Sequence, residues 1–215
     1  MSTWGIVVAG GTGSRFGTAK QFESIVGARI VDRAVAAATS ACDDVVVVLP
    51  EGFKWDGPTV SAAVAGGASR SASVRAGLDA VAPSATVVVV HDAARPLASS
   101  AIFDAVITAV ESGADAAVPA LPVPDTVKRV DGKRVVETIA RDGLVAVQTP
   151  QAFRAEALRA AHASGAGATD DAALVEAAGG RVVIVPGEPA NLKVTTPADL
   201  AVASALVAGP SWERS

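Results

Sequence analysis

Two short runs, Val45 to Leu49 and Thr86 to Val90, are almost wholly β-branched and uncharged. Runs of this length are too short for helices and suit strands buried on both faces, the situation of a parallel sheet covered by helices. Ile6 to Val8 is a third such strand, stopped by Gly10, Gly11, Gly13 and Gly17, and residues 27–39 have the apolar spacing of a helix before the strand at Val45. Strand, glycine-rich loop, helix, strand is the opening of an α/β sheet. The expectation is therefore a Rossmann-like, mostly parallel sheet with helices on both faces.

The first loop predicts a phosphate cradle. Glycines let the backbone approach a ligand closely, and consecutive N–H groups form an anion-binding concavity. Arg15 and Lys20 stand beside it, and no acid precedes Glu23. A P-loop does not fit, because Thr18 and Ala19 separate Gly17 from Lys20. The dinucleotide fingerprint fits Gly11 and Gly13 but meets Phe16 where its third glycine belongs, and leaves Glu51 as a lone candidate for a ribose. That is little support for an NAD-dependent oxidoreductase.

At 215 residues the chain suffices for one large domain, expected over residues 1–208. A net charge of −4 argues against a general nucleic-acid or membrane-surface binder, so a phosphate ligand has to be met locally. Cys42 is the single cysteine and has no disulfide partner within the chain. No apolar run approaches the ~20 residues of a membrane helix. The N-terminus leads directly into a strand, so the expected location is cytoplasmic.

Further along, a short strand is expected over residues 59–64, then Gly66 and Gly67, then a polar turn entering a helix at residues 69–78. Serine capping explains that turn equally well. The central strand delivers His91, Asp92, Ala93, Ala94, Arg95 and Pro96 to the carboxyl edge of the sheet, where ligands of open α/β sheets collect. Asp92 there suits Mg²⁺ or its water shell; the plain alternative is an Asp92–Arg95 ion pair, with His91 a buried structural histidine. Two histidines, His91 and His162, give a zinc or triad reading little to build on. A helix is expected over residues 102–111 and a strand over 115–120. Residues 126–138 form a hairpin around Asp131-Gly132, expected to be an arm reaching a second subunit because an isolated hairpin is marginal in water. Then come a strand at 144–147, a helix running to Ala163, a flexible link at 164–168, a helix at 172–178 capped by Thr169, Asp170 and Asp171, and a strand at 181–185. A proline-started helix follows Lys193, and 209–215 form a disordered tail. For Asp171, capping is the preferred role.

Together these stretches resemble the 2-C-methyl-D-erythritol 4-phosphate cytidylyltransferase family. The resemblance runs through residues 9–15, Lys20-Gln21-Phe22, Gly66-Gly67 with Arg70 and Ser73-Val74, residues 90–96, 125–128, 148–151, 169–171 and 191–197. It departs at Ala19, where the family has proline, and at Ala68, where it has an acid that helps select the base. The resemblance implies the nucleotide-diphospho-sugar transferase type of fold with a β-arm at about 121–142 used for dimerisation. It also implies CMP transfer from CTP to methylerythritol phosphate with Mg²⁺; ribitol 5-phosphate transfer and non-catalytic nucleotide binding are the alternatives. By the family pattern, Arg15, Lys20, Arg141 and Lys193 are catalytic, and Ala9, Gly10, Gly11, Gly13, Gly67, Ser73, Asp92 and Ala94 hold CTP. Thr126, Arg95, Thr149 and Thr169 contact the acceptor, and Asp92 is a metal ligand. Thr126 and Arg141 come from the partner's arm. For Arg141 the plain alternative is a surface pair with Asp142.

Overall fold

A computed structural model describes residues 1–10, 20–163, 165 and 170–209, with Lys20 described for its backbone alone. Within it the β-branched runs are the middle of one eight-stranded sheet, ordered β10-β7-β11-β6-β1-β4-β5 with β12 beside β7. The strands are β1 (Thr3–Val8), β4 (Asp44–Leu49), β5 (Ala62–Ala65), β6 (Val87–Asp92), β7 (Ala116–Pro122), β10 (Val145–Val147), β11 (Gln151–Arg154) and β12 (Val182–Pro186). Strand β1 lies parallel between β4 and β6, with Val8 opposite both Val48 and Asp92.

The pleat sorts alternate residues into two cores. Val7, Val47 and Val89 face α1 (Ile30–Ala41) and α3 (Ser100–Glu111), whereas Ile6, Val48 and Val90 face α2 (Arg70–Asp79), α4 (Ala155–Ala163) and α5 (Asp171–Ala177). Both faces are covered, which is why these strands are continuously apolar. A third, smaller core of Ile25, Ile30, Val194 and Ala203 ties α6 (Pro197–Ala208) to a hairpin made of β2 (Ser24–Ile25) and β3 (Ala28–Arg29). Among the described residues no helix is long and apolar enough to cross a membrane. Burial, with Asp43 nearby, pushes the Cys42 thiol up to about 12.

The structure revises the expected elements at three places. The helix expected from Gly27 begins at Ile30, because residues 24–29 form the β2–β3 hairpin. Strand β11 intervenes between β10 and α4, antiparallel to both β6 and β7. The strand expected from residue 59 is confined to β5. The link at 164–168, apart from Gly165, and the tail at 210–215 lie outside the described residues. The expected hairpin is present as β8 (Val127–Asp131) and β9 (Arg134–Ile139), a separate two-stranded sheet with Val130, Val135 and Val136 exposed.

Candidate active site

Strand β6 ends at the sheet's carboxyl edge with His91 and Asp92, both buried. Asp92 accepts from two cations: Arg70 Nε at 3.1 Å on Oδ1 and Lys193 Nζ at 2.6 Å on Oδ2. Burial alone raises a carboxyl pKa, but the Arg70 and Lys193 charges outweigh it and hold Asp92 well below the ordinary carboxylate range. Arg70 reaches further, placing Nη1 2.6 Å from Asp171 Oδ2, whose Oδ1 lies 2.9 Å from His162 Nε2. Desolvation lowers the Arg70 pKa, yet the paired charges of Asp92 and Asp171 raise it overall.

Two sequence expectations are corrected here. Arg95 does not pair with Asp92: its guanidinium donates to the Asn191 carbonyl at 2.7 Å and to that of Val147 at 3.5 Å. Asp171 is not the cap of α5; Asp170 accepts from Ala173 N at 2.9 Å in that role, leaving Asp171 free for the buried ion pair. Serine capping at α2 is present, with Ser69 accepting from Ala72 N, and it coexists with the functional placement of Arg70 beside it.

The turn after β6 is held by a hydrogen-bond chain. His91 Nε2 donates to the Arg95 carbonyl at 3.0 Å, which leaves Nδ1 as acceptor from the Thr149 hydroxyl at 3.2 Å, and Thr149 Oγ1 accepts from Asp92 N at 3.0 Å. Desolvation lowers the His91 pKa to about 4 against the opposing effect of Asp92, so the ring is neutral. Thr149 and Arg95 therefore act on the backbone that carries Asp92. Gln148 spans Glu188 and Asn191, donating from Nε2 to the Glu188 carbonyl at 2.8 Å and accepting from Glu188 N at 3.0 Å, while Val194 N donates to Ala94 O at 2.8 Å. These bonds fix the segment that delivers Lys193.

Small residues pack closely where the end of β1 meets the α2 entrance. A side chain on Gly10 would meet Ser73 Oγ at 3.1 Å and Gly66 Cα at 3.6 Å, and one on Gly67 would meet Ala72 Cβ at 2.5 Å. Ser73 Oγ accepts from Gly67 N at 3.2 Å and donates to Ser69 O at 3.0 Å, holding the α2 entrance against the end of β5. The carbonyl of Ala9 accepts from Gln21 Nε2 at 2.8 Å, which ties the Lys20–Phe22 turn to the end of β1. Phe22 stacks on Phe53 at 4.8 Å on the outer side. Gly11, Gly13, Arg15 and Thr169 lie outside the described residues, as does the Lys20 side chain.

Thr126 and Arg141 are exposed at the base of the β8–β9 hairpin and are not brought to Asp92 within the chain. Arg141 donates to the Pro124 carbonyl instead of pairing with Asp142. Glu51 is exposed in a turn after β4, and nothing places a ribose there. From the sequence Arg70 entered only through the motif it belongs to, Asp171 through its motif and as a helix cap, and His162 without a role; none was read as part of an ion-pair chain.

The family model for IspD, 2-C-methyl-D-erythritol 4-phosphate cytidylyltransferase, matches residues 4–209. The chain belongs to this family. An enzyme of that name from Rhodococcus jostii is 46% identical over 212 residues, covering 94% of this chain and 93% of the relative. The enzyme of the same name from Deinococcus radiodurans is 42% identical over 209 residues, covering 95% and 89%. The crystal structure of the Thermus thermophilus enzyme superposes with a TM-score of 0.82 at 35% identity, covering 94% of this chain and 97% of that one. Bifunctional IspD/IspF relatives also match; that of Anaeromyxobacter dehalogenans is 45% identical over 223 residues, and this cytidylyltransferase-family chain spans 57% of its length.

Among the described residues no cluster of three His, Cys, Asp or Glu side chains is placed to hold a metal. A divalent cation would have to take most of its ligands from phosphate and water oxygens, and both oxygens of Asp92 are already engaged by Arg70 and Lys193.

Proposed function

We propose that this chain transfers CMP from CTP to 2-C-methyl-D-erythritol 4-phosphate, releasing pyrophosphate, in the non-mevalonate route to isoprenoid precursors. The observation that carries the proposal is the ionised, buried Asp92 held between Arg70 and Lys193 at the carboxyl edge of the sheet. A buried carboxylate beside a half-exposed lysine, in a chain whose sequence carries a glycine-rich loop with two cations, suits two phosphorylated substrates meeting.

The acceptor phosphate oxygen attacks the α-phosphorus of CTP; a new P–O bond forms as the bond to the bridging oxygen breaks, and the electron pair leaves with pyrophosphate. No protein nucleophile is needed, so catalysis is positioning and charge stabilisation. Arg15 and Lys20 are assigned to the charge that grows on the α-phosphate. Gly11 and Gly13 are assigned to the triphosphate, Gly67 and Ser73 to the base, and Asp92 and Ala94 to the ribose side. Lys193 meets the acceptor phosphate, with Thr169 nearby. Thr126 and Arg141 reach the same acceptor from a partner subunit's arm. Asp92, together with the triphosphate, would hold Mg²⁺, which would supply charge neutralisation.

The test is pyrophosphate release from CTP and Mg²⁺, with methylerythritol phosphate and ribitol 5-phosphate offered separately and UTP and ATP as controls. Release with methylerythritol phosphate and CTP alone is expected. Release only with ribitol 5-phosphate moves the chain to that acceptor, and silence with both overturns the proposal in favour of nucleotide binding without transfer.

A further inference from the structure

The chemistry proposed above leaves two buried polar groups without a task. Asp171, the first residue of α5, has a side chain 0% exposed, and His162 in the last turn of α4 has one 2% exposed. They meet at 2.9 Å, and because a carboxylate only accepts, His162 Nε2 carries the proton. Among the described residues, His162 Nδ1 has no hydrogen-bond partner although it is buried. Among the described residues the ring is thus held on its polar side by Asp171 alone, an arrangement that costs desolvation and calls for a return.

That return lies at the other oxygen. Asp171 Oδ2 takes Arg70 Nη1 at 2.6 Å, while Arg70 Nε sits 3.1 Å from Asp92. A guanidinium is a rigid fork, and two carboxylates at different edges fix both its position and its tilt. The groups facing one another along this line are Lys193, Asp92, Arg70, Asp171 and His162, with formal charges that cancel when His162 is neutral. Without the Asp171 charge, nothing opposes rotation of the fork until it grips both oxygens of Asp92, and Lys193 loses its place on Oδ2.

We infer that Asp171 and His162 are positioning residues: they hold Arg70 astride two carboxylates and so fix Asp92 and, through it, where Lys193 meets the acceptor phosphate. The inference deepens the proposed function and rests on it.

The experiment is steady-state kinetics on the full chain with CTP and methylerythritol phosphate, with CTP affinity measured by calorimetry. Asp171→Asn is expected to raise the acceptor KM about tenfold, the size of one lost charge-assisted hydrogen bond, with CTP affinity changed less than about threefold. Because this carboxylate is buried, the variant also loses thermal stability, so a second pair separates position from packing. His162→Gln keeps an N–H near the imidazole Nε2, whereas His162→Leu fills the space without a donor. Gln close to wild type, with Leu following Asp171→Asn, supports the inference. Gln and Leu alike in acceptor KM, or Asp171→Asn unchanged, overturns it. Wild type silent with the acceptor overturns the proposed function itself, and this inference with it.

Discussion

Asp92 stays ionised where burial penalises charge, and it does so through Arg70 and Lys193. His91, one residue earlier, has the opposite solution: it stays neutral, its pKa lowered to about 4 from 6.5. For a base whose folded pKa is depressed, the unfolded chain takes up the proton first. Stability is complete above pH ~6.5 and falls as pH drops toward 4, by on the order of 3 kcal/mol in total. Chemical denaturation of the ligand-free, chelator-treated protein between pH 7 and 4 is expected to show this loss. His91→Gln, which keeps the donor to Arg95, is expected to flatten it, and an unchanged slope would remove His91 as the cause. A different residue is assigned to the chemistry in the proposed function. Lys20→Ala is expected to lower turnover by at least ~100-fold, the scale of one charge-stabilising group, with CTP binding largely retained in calorimetry. The positions of Asp92 and Lys193 were legible in the sequence because the one ends a strand and the other precedes a proline-started helix. Arg70 and Asp171 were not, because their meaning lies in a contact 101 residues apart.

At the scale of elements, the sequence was most legible where residue type and burial agree, as in β4 and β6. It was least legible where a strand is short and its neighbours decide it. Gln151 to Arg154 carry little pattern of their own and run straight into α4; they become β11 because β6 and β7 offer edges on both sides. The β2–β3 hairpin was hidden for a different reason. Its two-residue turn is Val26-Gly27, with φ of 46° and 80°, where Asn-Gly is the usual signal. A β-branched residue in the left-handed region is strained, and Val26 is 56% exposed, so it gains little burial in return. Val26→Asn is therefore expected to stabilise the protein by about 1 kcal/mol, read as a rise in melting temperature. The hairpin follows directly from the Lys20–Phe22 turn and packs with Ile30 and α6, so this change also tests whether loop and hairpin are coupled. An unaltered CTP affinity in the stabilised variant would show that they are not.

At the scale of the molecule, the question is what the β8–β9 arm is for. Val130, Val135 and Val136 are 58%, 55% and 49% exposed on it, and Val145 and Val147 of the adjoining β10 are 40% and 38% exposed. A two-stranded ribbon with bare valines is marginal alone and is stabilised by a surface to cover them. The proposed second copy would supply that surface, and the same docking would explain why Thr126 and Arg141 stand apart from Asp92 within one chain. The shared site makes a quantitative prediction. Arg141→Ala and Lys193→Ala homodimers are each expected to turn over slowly with weak acceptor binding and intact CTP binding. Mixed at equal amounts after unfolding and refolding together, half the dimers contain one chain of each kind. In such a dimer one site keeps both its lysine and its partner's arginine, and the other loses both. With two-fold symmetry, activity is then expected to recover to about a quarter of wild type. If Arg141 served only its own subunit, both sites of the mixed dimer would be defective and no recovery would be seen. Elution of the wild type as a monomer in gel filtration at assay concentration would exclude the shared site outright.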